Sequence, residues 1–355
     1  MAGASRGGIA VFVNPRSRAN RRDPALARTF ATIIGDVGQI HAPASLDELR
    51  ATAAALRAAP PDVIAVHGGD GTLHKVVTAL GHAFGETPLP PLALLTGGTM
   101  NVVATSLGIA AKPFDVLRML ADHVRAGAPS QLLPLIPRRC MRIGEHLGFV
   151  FGNGLAANFL GEYYADDAYG PKRAAWLLAR TFFSALVRGP FMRKVFKRFE
   201  GEVRVDGDLL PRTRFVGVNA ATVREVGLGF KLNHRADDDP DRFGVLAIHG
   251  SPLALVADLP AVHAGRGVGP ARAFSAVAST LDITPTMSPR ANDSTLPTEM
   301  AYTIDGDLYR SSAPVLRLSV GPRIHFVRPS ASVLRAARAP ELLSAAPGDT
   351  MEAAR

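Results

Sequence analysis

Apolar residues in the first third of the chain come in short β-branched runs separated by stretches of helical period. "GIAVFVNP" (8–15) reads as a strand, and residues 24–35 follow with the spacing of an amphipathic helix. A short strand near "VGQIH", a helix from Ser45 to Ala59, the strand "DVIAV", a helix from Thr72 to about His82 and the strand "LALLTG" complete the series. Strands alternating with helices predict βαβ units and a parallel sheet, which binds ligands at the carboxyl ends of its strands. After Pro129 the texture changes to alternating runs bounded by turn residues: "EVRVDGDLL", "TRFVGVNAA", "GVLAIHG", "AYTIDGDLY" and "PVLRLSVGP". These predict an antiparallel β domain. The expected organisation is an α/β domain over 1–130, a β domain over 131–320, a segment at 321–335 packing back toward the first domain, and a disordered tail at 336–355.

Charge narrows the partners. The formal net charge is +9 over 355 residues, which favours anionic ligands or surfaces. No acid falls between Asp167 and Glu200, whereas Lys172, Arg173, Arg180, Arg188, Arg193, Lys194, Lys197 and Arg198 do, interleaved with aromatics. Such a basic amphipathic stretch, 172–199, can lie on an anionic membrane, or it can be a core-facing helix with a solvated basic side. Trp176 and the phenylalanines near it read as core. Gly189-Pro190 should break the helix and leave "FMRKVFKRF" as a separate short element. No nucleic-acid recognition motif accompanies the charge, so nucleic acid is not expected as a partner.

The single cysteine, Cys140, excludes an intrachain disulfide and any multi-cysteine zinc site, and reads as a buried small residue. No segment offers the roughly 20 apolar residues needed to span a bilayer. A cytoplasmic protein peripherally associated with the inner face of the membrane is expected.

The chemistry gathers at three strand ends. "VNPRSR" offers Asn14, Ser17 and Arg18; "GGDGT" offers Gly68, Gly69, Asp70, Gly71 and Thr72; "TGGTMN" offers Thr96, Gly97, Gly98, Thr99 and Asn101. Glycine turns let backbone amides approach phosphate, yet an acid aimed at phosphate repels it unless a cation intervenes or the acid handles a proton. The pattern is neither a P-loop nor the dinucleotide fingerprint. Asp70 as a plain helix N-cap is the bland alternative. Lys75 reads as a solvated helix position, and His67 and His74 have no partner at metal-ligand spacing.

"GGDGTLHKVV" followed by "LLTGGTMNVVATSLGI" and preceded by "VNPRS" closely resembles the diacylglycerol kinase catalytic family, which includes sphingosine, ceramide and bacterial lipid kinases. The likeness continues more weakly through "YGPKRAAWLL", "LNHRADDDPDRFGVLAI" and "YTIDGDLY". It implies a three-layer α/β domain similar to phosphofructokinase and NAD kinase, a C-terminal antiparallel β-sandwich, and ATP, Mg²⁺ and lipid meeting between them. The residues at the three strand ends then bind the nucleotide, with Asp70 catalytic. The family's late Asp-Gly-Glu corresponds to Asp305-Gly306-Asp307, which gives Asp307 the role of general base on a side chain one methylene shorter. Asp238, Asp239 and Asp241 fall in the family's metal-holding loop, and Ala156 stands where an acid is expected. A homodimer is among the partners considered. NAD kinase is the alternative enzyme, although "GGTMNVVATSLGI" fits lipid kinases better, and a catalytically silent nucleotide- or lipid-binding protein is the alternative outside enzymes.

Overall fold

The computed structural model describes residues 7–338 except 16, 18–19, 21–22, 24, 166–169, 171–172, 174–175, 178, 182–183, 185–188 and 287–298. Arg18, Lys172 and Arg188 therefore lie outside the described residues, as do residues 339–355 of the expected tail.

The first domain is a parallel sheet covered on both faces. Its elements are β1(Ile9–Val13), α1(Leu26–Ile34), β2(Gly38–His41), α2(Leu46–Ala58), β3(Val63–Gly68), α3(Asp70–Phe84), β4(Leu92–Thr96), α4(Val102–Ser106) and α5(Pro113–Arg125). The strands lie side by side as β4-β3-β1-β2. Every residue of β1 is buried, as expected of a strand enclosed by helices on both sides. Successive residues point to opposite faces: Phe12, Ile64 and Val66 join the core with α2 and α3, while Val11, Val13 and Ala65 join the core with α1 and α5. Local chemistry sets the helix starts. Ser45 Oγ accepts from Glu48 N–H at 3.1 Å, and the Glu48 carboxylate accepts from Ala44 N–H at 2.8 Å.

The second domain opens with β5(Leu135–Ile143), β6(His146–Gly148), β7(Val150–Asn153), α6(Leu155–Tyr164) and α7(Pro190–Val195). It continues through β8(Phe199–Val205), β9(Asp208–Leu209), β10(Arg214–Phe215), β11(Gly217–Ala221), β12(Phe243–Ile248), α8(Pro252–Ala257) and α9(Leu259–His263). The chain ends with β13(Ala273–Ala278), β14(Thr280–Pro285), β15(Met300–Ile304), β16(Asp307–Ser311), β17(Leu316–Val327) and α10(Ala331–Arg338). One antiparallel sheet runs β13-β12-β11-β7-β15-β16. It packs on β5, β8, β14 and the start of β17 through a core of Phe151, Val203, Val218, Val245, Leu281, Ile304 and Leu318. An α/β domain followed by a β-sandwich is the architecture expected. The Gly189-Pro190 break is also present, with α7 starting at Pro190.

β17 joins the two domains. Its first half pairs with β14 from Leu316 to Ser319, and its far end reaches Leu92 of β4 through Phe326. Along its other edge runs β5, with a register shift between Val320 and Arg323. The sequence pattern ended this strand at Pro322. Instead, Gly321-Pro322 occupies the bulge, where a proline without an N–H costs no ladder bond, and the strand continues to Val327. A Cβ on Gly321 would lie 2.9 Å from Cys140 Sγ, so only glycine lets β17 pass over the buried cysteine.

Candidate active site

The three strand ends meet at one edge of the parallel sheet and are stitched together. Asn14 Nδ2 donates to Thr72 Oγ1 at 2.9 Å, tying the first motif to the second. Ser17 Oγ accepts from Asn20 N–H at 3.2 Å and fixes the turn after β1. Gly97 N–H donates to Gly68 O at 3.0 Å, tying the second motif to the third. Thr96 Oγ1 donates to Ala111 O at 2.8 Å. Asn101, left-handed at φ 48°, clamps Gly98: its Oδ1 accepts from Gly98 N–H at 3.0 Å and its Nδ2 donates to Gly98 O at 3.1 Å. The three motifs are thus joined through Asn14, Thr72, Gly68 and Gly97, while Arg18 lies outside the described residues.

The glycines are glycines because the turns pack on each other. A Cβ on Gly98 would stand 2.3 Å from Gly69 Cα, and one on Gly68 would stand 2.5 Å from the Thr72 side chain. One on Gly97 would lie 2.4 Å from Cε1 of His67, whose buried ring donates from Nδ1 to Leu95 O at 3.0 Å. The sequence supplied the glycines but gave ligand approach as their reason; close turn-to-turn contact is the nearer cause.

Asp70 opens α3, a helix whose N-terminus carries no side-chain cap. Its carboxylate turns sideways instead and accepts from Val102 N–H at 2.9 Å and Val103 N–H at 3.1 Å, capping α4. The acid of the second motif thus anchors the third. Burial raises its pKa, opposed by the amides that hold the charged form.

Asp307 sits over the first turn of α3, where a Cβ on Gly71 would lie 2.9 Å from its Oδ1. Its Oδ2 pairs with Lys75 Nζ at 2.8 Å. Lys75, read from the sequence as a solvated position, is exposed as expected and in addition makes this ion pair. The signal was available, since Lys75 follows Gly71 by four residues and so shares its helix face.

Asp305 was not singled out, because an Asp-Gly pair between alternating runs reads as an ordinary hairpin turn. Its carboxylate is buried and accepts from Phe149 N–H at 3.1 Å and Val150 N–H at 2.8 Å. Burial pushes its pKa well above the ordinary carboxylate value, and the charge of nearby Asp70 pushes it further.

Half-buried Asp70 and buried Asp305 line a cavity of about 530 Å³ between the domains. Gly71, Thr99 and Asp305 stand with Asp70 along one part of its wall, while Phe159, Leu160, Phe196, Phe230, Leu255 and Val262 are among the apolar residues that enclose the remainder. Ala156, where the resemblance called for an acid, is part of this lining and keeps it apolar. Asp307 is not among the lining residues.

The three acids expected to hold metal are engaged by arginines. Asp238 pairs with Arg235 at 2.7 Å, Asp241 pairs with Arg139 at 3.0 Å and with Arg323, and Asp239 lies 4.0 Å from Arg242 while accepting from Asp241 N–H. Among the described residues no group of three His, Cys, Asp or Glu side chains converges on a metal position.

A polar clamp holds α3 to the second domain. His74 Nδ1 donates to Leu147 O at 2.7 Å, which leaves Nε2 to accept from Tyr309 O–H at 2.7 Å. Thr78 Oγ1 donates to Leu147 O at 3.2 Å and accepts from Leu147 N–H at 3.0 Å. Burial drives the His74 pKa down to about 4.

A parallel α/β domain with three joined glycine and polar turns, sharing an apolar cavity with a β-sandwich, defines a two-domain class, and comparison with known proteins adds to it. Residues 8–129 match the family described as diacylglycerol kinase catalytic domain, so the resemblance carried by the three motifs holds for the first domain. A protein of Xanthomonas euvesicatoria pv. vesicatoria (strain 85-10) named "Probable lipid kinase YegS-like" is 41% identical over 58 residues, 16% of this chain and 19% of that protein. Its namesake in Xanthomonas oryzae pv. oryzae (strain MAFF 311018) is 36% identical over 83 residues, 22% of this chain and 26% of the relative. The chain thus matches only about a fifth to a quarter of these relatives' length. The crystal structure of a diacylglycerol kinase from Bacillus anthracis str. Sterne superposes with a TM-score of 0.60 at 14% identity, covering 93% of this chain and 99% of that one. At that identity the likeness concerns the fold.

Proposed function

We propose that the protein is a lipid kinase that transfers the γ-phosphate of ATP to a hydroxyl of a membrane lipid of the diacylglycerol, ceramide or sphingoid-base type. The observation that carries this reading is the apolar cavity whose wall includes Asp70, Gly71 and Asp305, because it can take hydrocarbon chains and present a hydroxyl beside the glycine turns.

The residues fit a nucleotide. The uncapped N-terminus of α3 offers amides and the positive end of the helix dipole to phosphate. Bound ATP supplies the phosphoryl group, and Mg²⁺ carried on its phosphates neutralises charge and needs only one or two protein carboxylates. Asp70 is the acid at the turns that fits that need. The loop acids 238, 239 and 241, held by arginines, are not part of this reading.

Asp70 also suits proton handling. A carboxylate whose pKa is raised by burial is a stronger base than an exposed one, and it borders the space where the lipid hydroxyl would sit. Asp307, the general base by resemblance, is set aside in this reading: it holds the Lys75 ammonium over the first turn of α3. The lipid substrate implies a cytoplasmic enzyme working at the inner face of the membrane, and no helix among the described residues is long and apolar enough to cross one.

The test is incubation of purified protein with labelled ATP and either a total lipid extract or NAD. Label in a lipid supports the proposal. Label in NADP instead would transfer the protein to the NAD kinase reading, and label in neither would leave a silent binding protein.

A further inference from the structure

We infer that Trp176, framed by Arg173 and Arg180, is the point at which this protein enters an anionic membrane, beside the lipid cavity. The described residues between 173 and 184 are helical and two-sided. Leu177 is fully buried in a small core with Tyr163, Phe191 and Val195, and Tyr163, Thr181 and Val195 also line the cavity. Trp176, next in sequence to a residue 0% exposed, is itself 49% exposed. The sequence pattern placed this ring in the core; the structure turns it outward, and it is the only tryptophan of the chain.

An exposed indole between two guanidinium groups is not a solvated basic face. The Arg173 and Arg180 Cζ atoms lie 4.9 Å and 5.3 Å from the Trp176 ring centroid, and Arg180 lies 4.2 Å from that of Phe191. Tryptophan favours the bilayer interface, where its ring is apolar and its N–H wet, and guanidinium groups bind lipid phosphate with directed hydrogen bonds. Tyr164, 41% exposed and also on the cavity wall, extends the aromatic rim. Arg193 adds charge on α7, while Lys194 is neutralised by Glu162. Charge complementarity therefore names an anionic bilayer as the occupant. The purpose, delivery of an insoluble lipid to the cavity, rests on the kinase reading; the contact itself does not.

A single tryptophan makes the test direct. Vesicles of equimolar phosphatidylglycerol and phosphatidylcholine should shift Trp176 emission to the blue, acyl-brominated lipid should quench it, and pure phosphatidylcholine or high salt should abolish both effects. Trp176→Ser, or Arg173→Gln with Arg180→Gln, should melt as wild type yet weaken co-sedimentation with anionic vesicles by roughly tenfold. Co-sedimentation of wild type with unshifted emission would place the docking surface elsewhere, and absence of binding, or emission that shifts only with another protein, would overturn the inference. Insertion by a wild type that transfers no phosphate would leave this contact standing and remove the kinase reading.

Discussion

In the proposed reaction Asp70 has a second job besides capping α4, and the two separate under substitution. Asn at position 70 keeps one acceptor for the amides of α4 and removes the charge, so Asp70→Asn should fold and melt cooperatively while losing about 10²–10⁴ of its phosphoryl-transfer rate. Near-normal turnover would remove the residue from the chemistry. Asp305 makes a prediction about stability. Its folded pKa is raised above the ordinary 3.8, so the folded state binds the proton more tightly. That contribution is full below 3.8 and is lost as pH rises toward the folded value. Urea denaturation at a series of pH values should therefore show wild type losing stability relative to Asp305→Asn as pH increases, and parallel profiles would refute the assignment. The motif acids were legible because glycines surround one of them and an alkyl-rich strand precedes it. Asp305 was not, because what distinguishes it is its burial against Phe149 and Val150, more than 150 positions away along the chain.

At the scale of elements, two contacts decide the site: turn on turn, and helix on sheet. The loops after β3 and β4 touch at Gly69 and Gly98, so even a methyl group must displace backbone. Gly98→Ala should cost about 1–3 kcal/mol in denaturation experiments, in addition to any effect on ATP affinity. Unchanged stability would mean that the turns are apart in solution. The clamp between α3 and the β domain predicts acid sensitivity. His74 is held neutral, its pKa lowered from 6.5 to about 4, so stability falls as pH drops through that interval, where the unfolded chain binds a proton and the folded chain resists it. His74→Asn keeps a donor for Leu147 O without titrating and should flatten the profile there; Tyr309→Phe should lower stability by about 1 kcal/mol at neutral pH. The helices and strands of the first domain were readable from their periods, since each buries a face that the pattern marks. The partners of His74 and Lys75 were not, because Leu147, Tyr309 and Asp307 lie on strands of another domain.

The two domains share one core. The core beneath α2 and α3 contains Cys140, Leu147, Phe149, Val223, Ile324 and Phe326, all from beyond residue 130. Thermal unfolding should accordingly show a single cooperative transition, and a fragment of residues 1–130 should expose that face and lack near-ultraviolet dichroism; a natively folded fragment would contradict this account. The sequence showed the change of texture near residue 130 but not this sharing, because a boundary of pattern need not be a boundary of packing. β17 adds an order in time. Synthesis proceeds from the amino end, and most domains close as soon as their residues leave the ribosome. Here Ile324 and Phe326 complete the core of the first domain, so the glycine turns can be set in place only after synthesis has passed residue 326. Until then the nascent protein carries an open apolar face, and a ribosome that stalls before residue 324 releases a chain with all three motifs and no completed core beneath them.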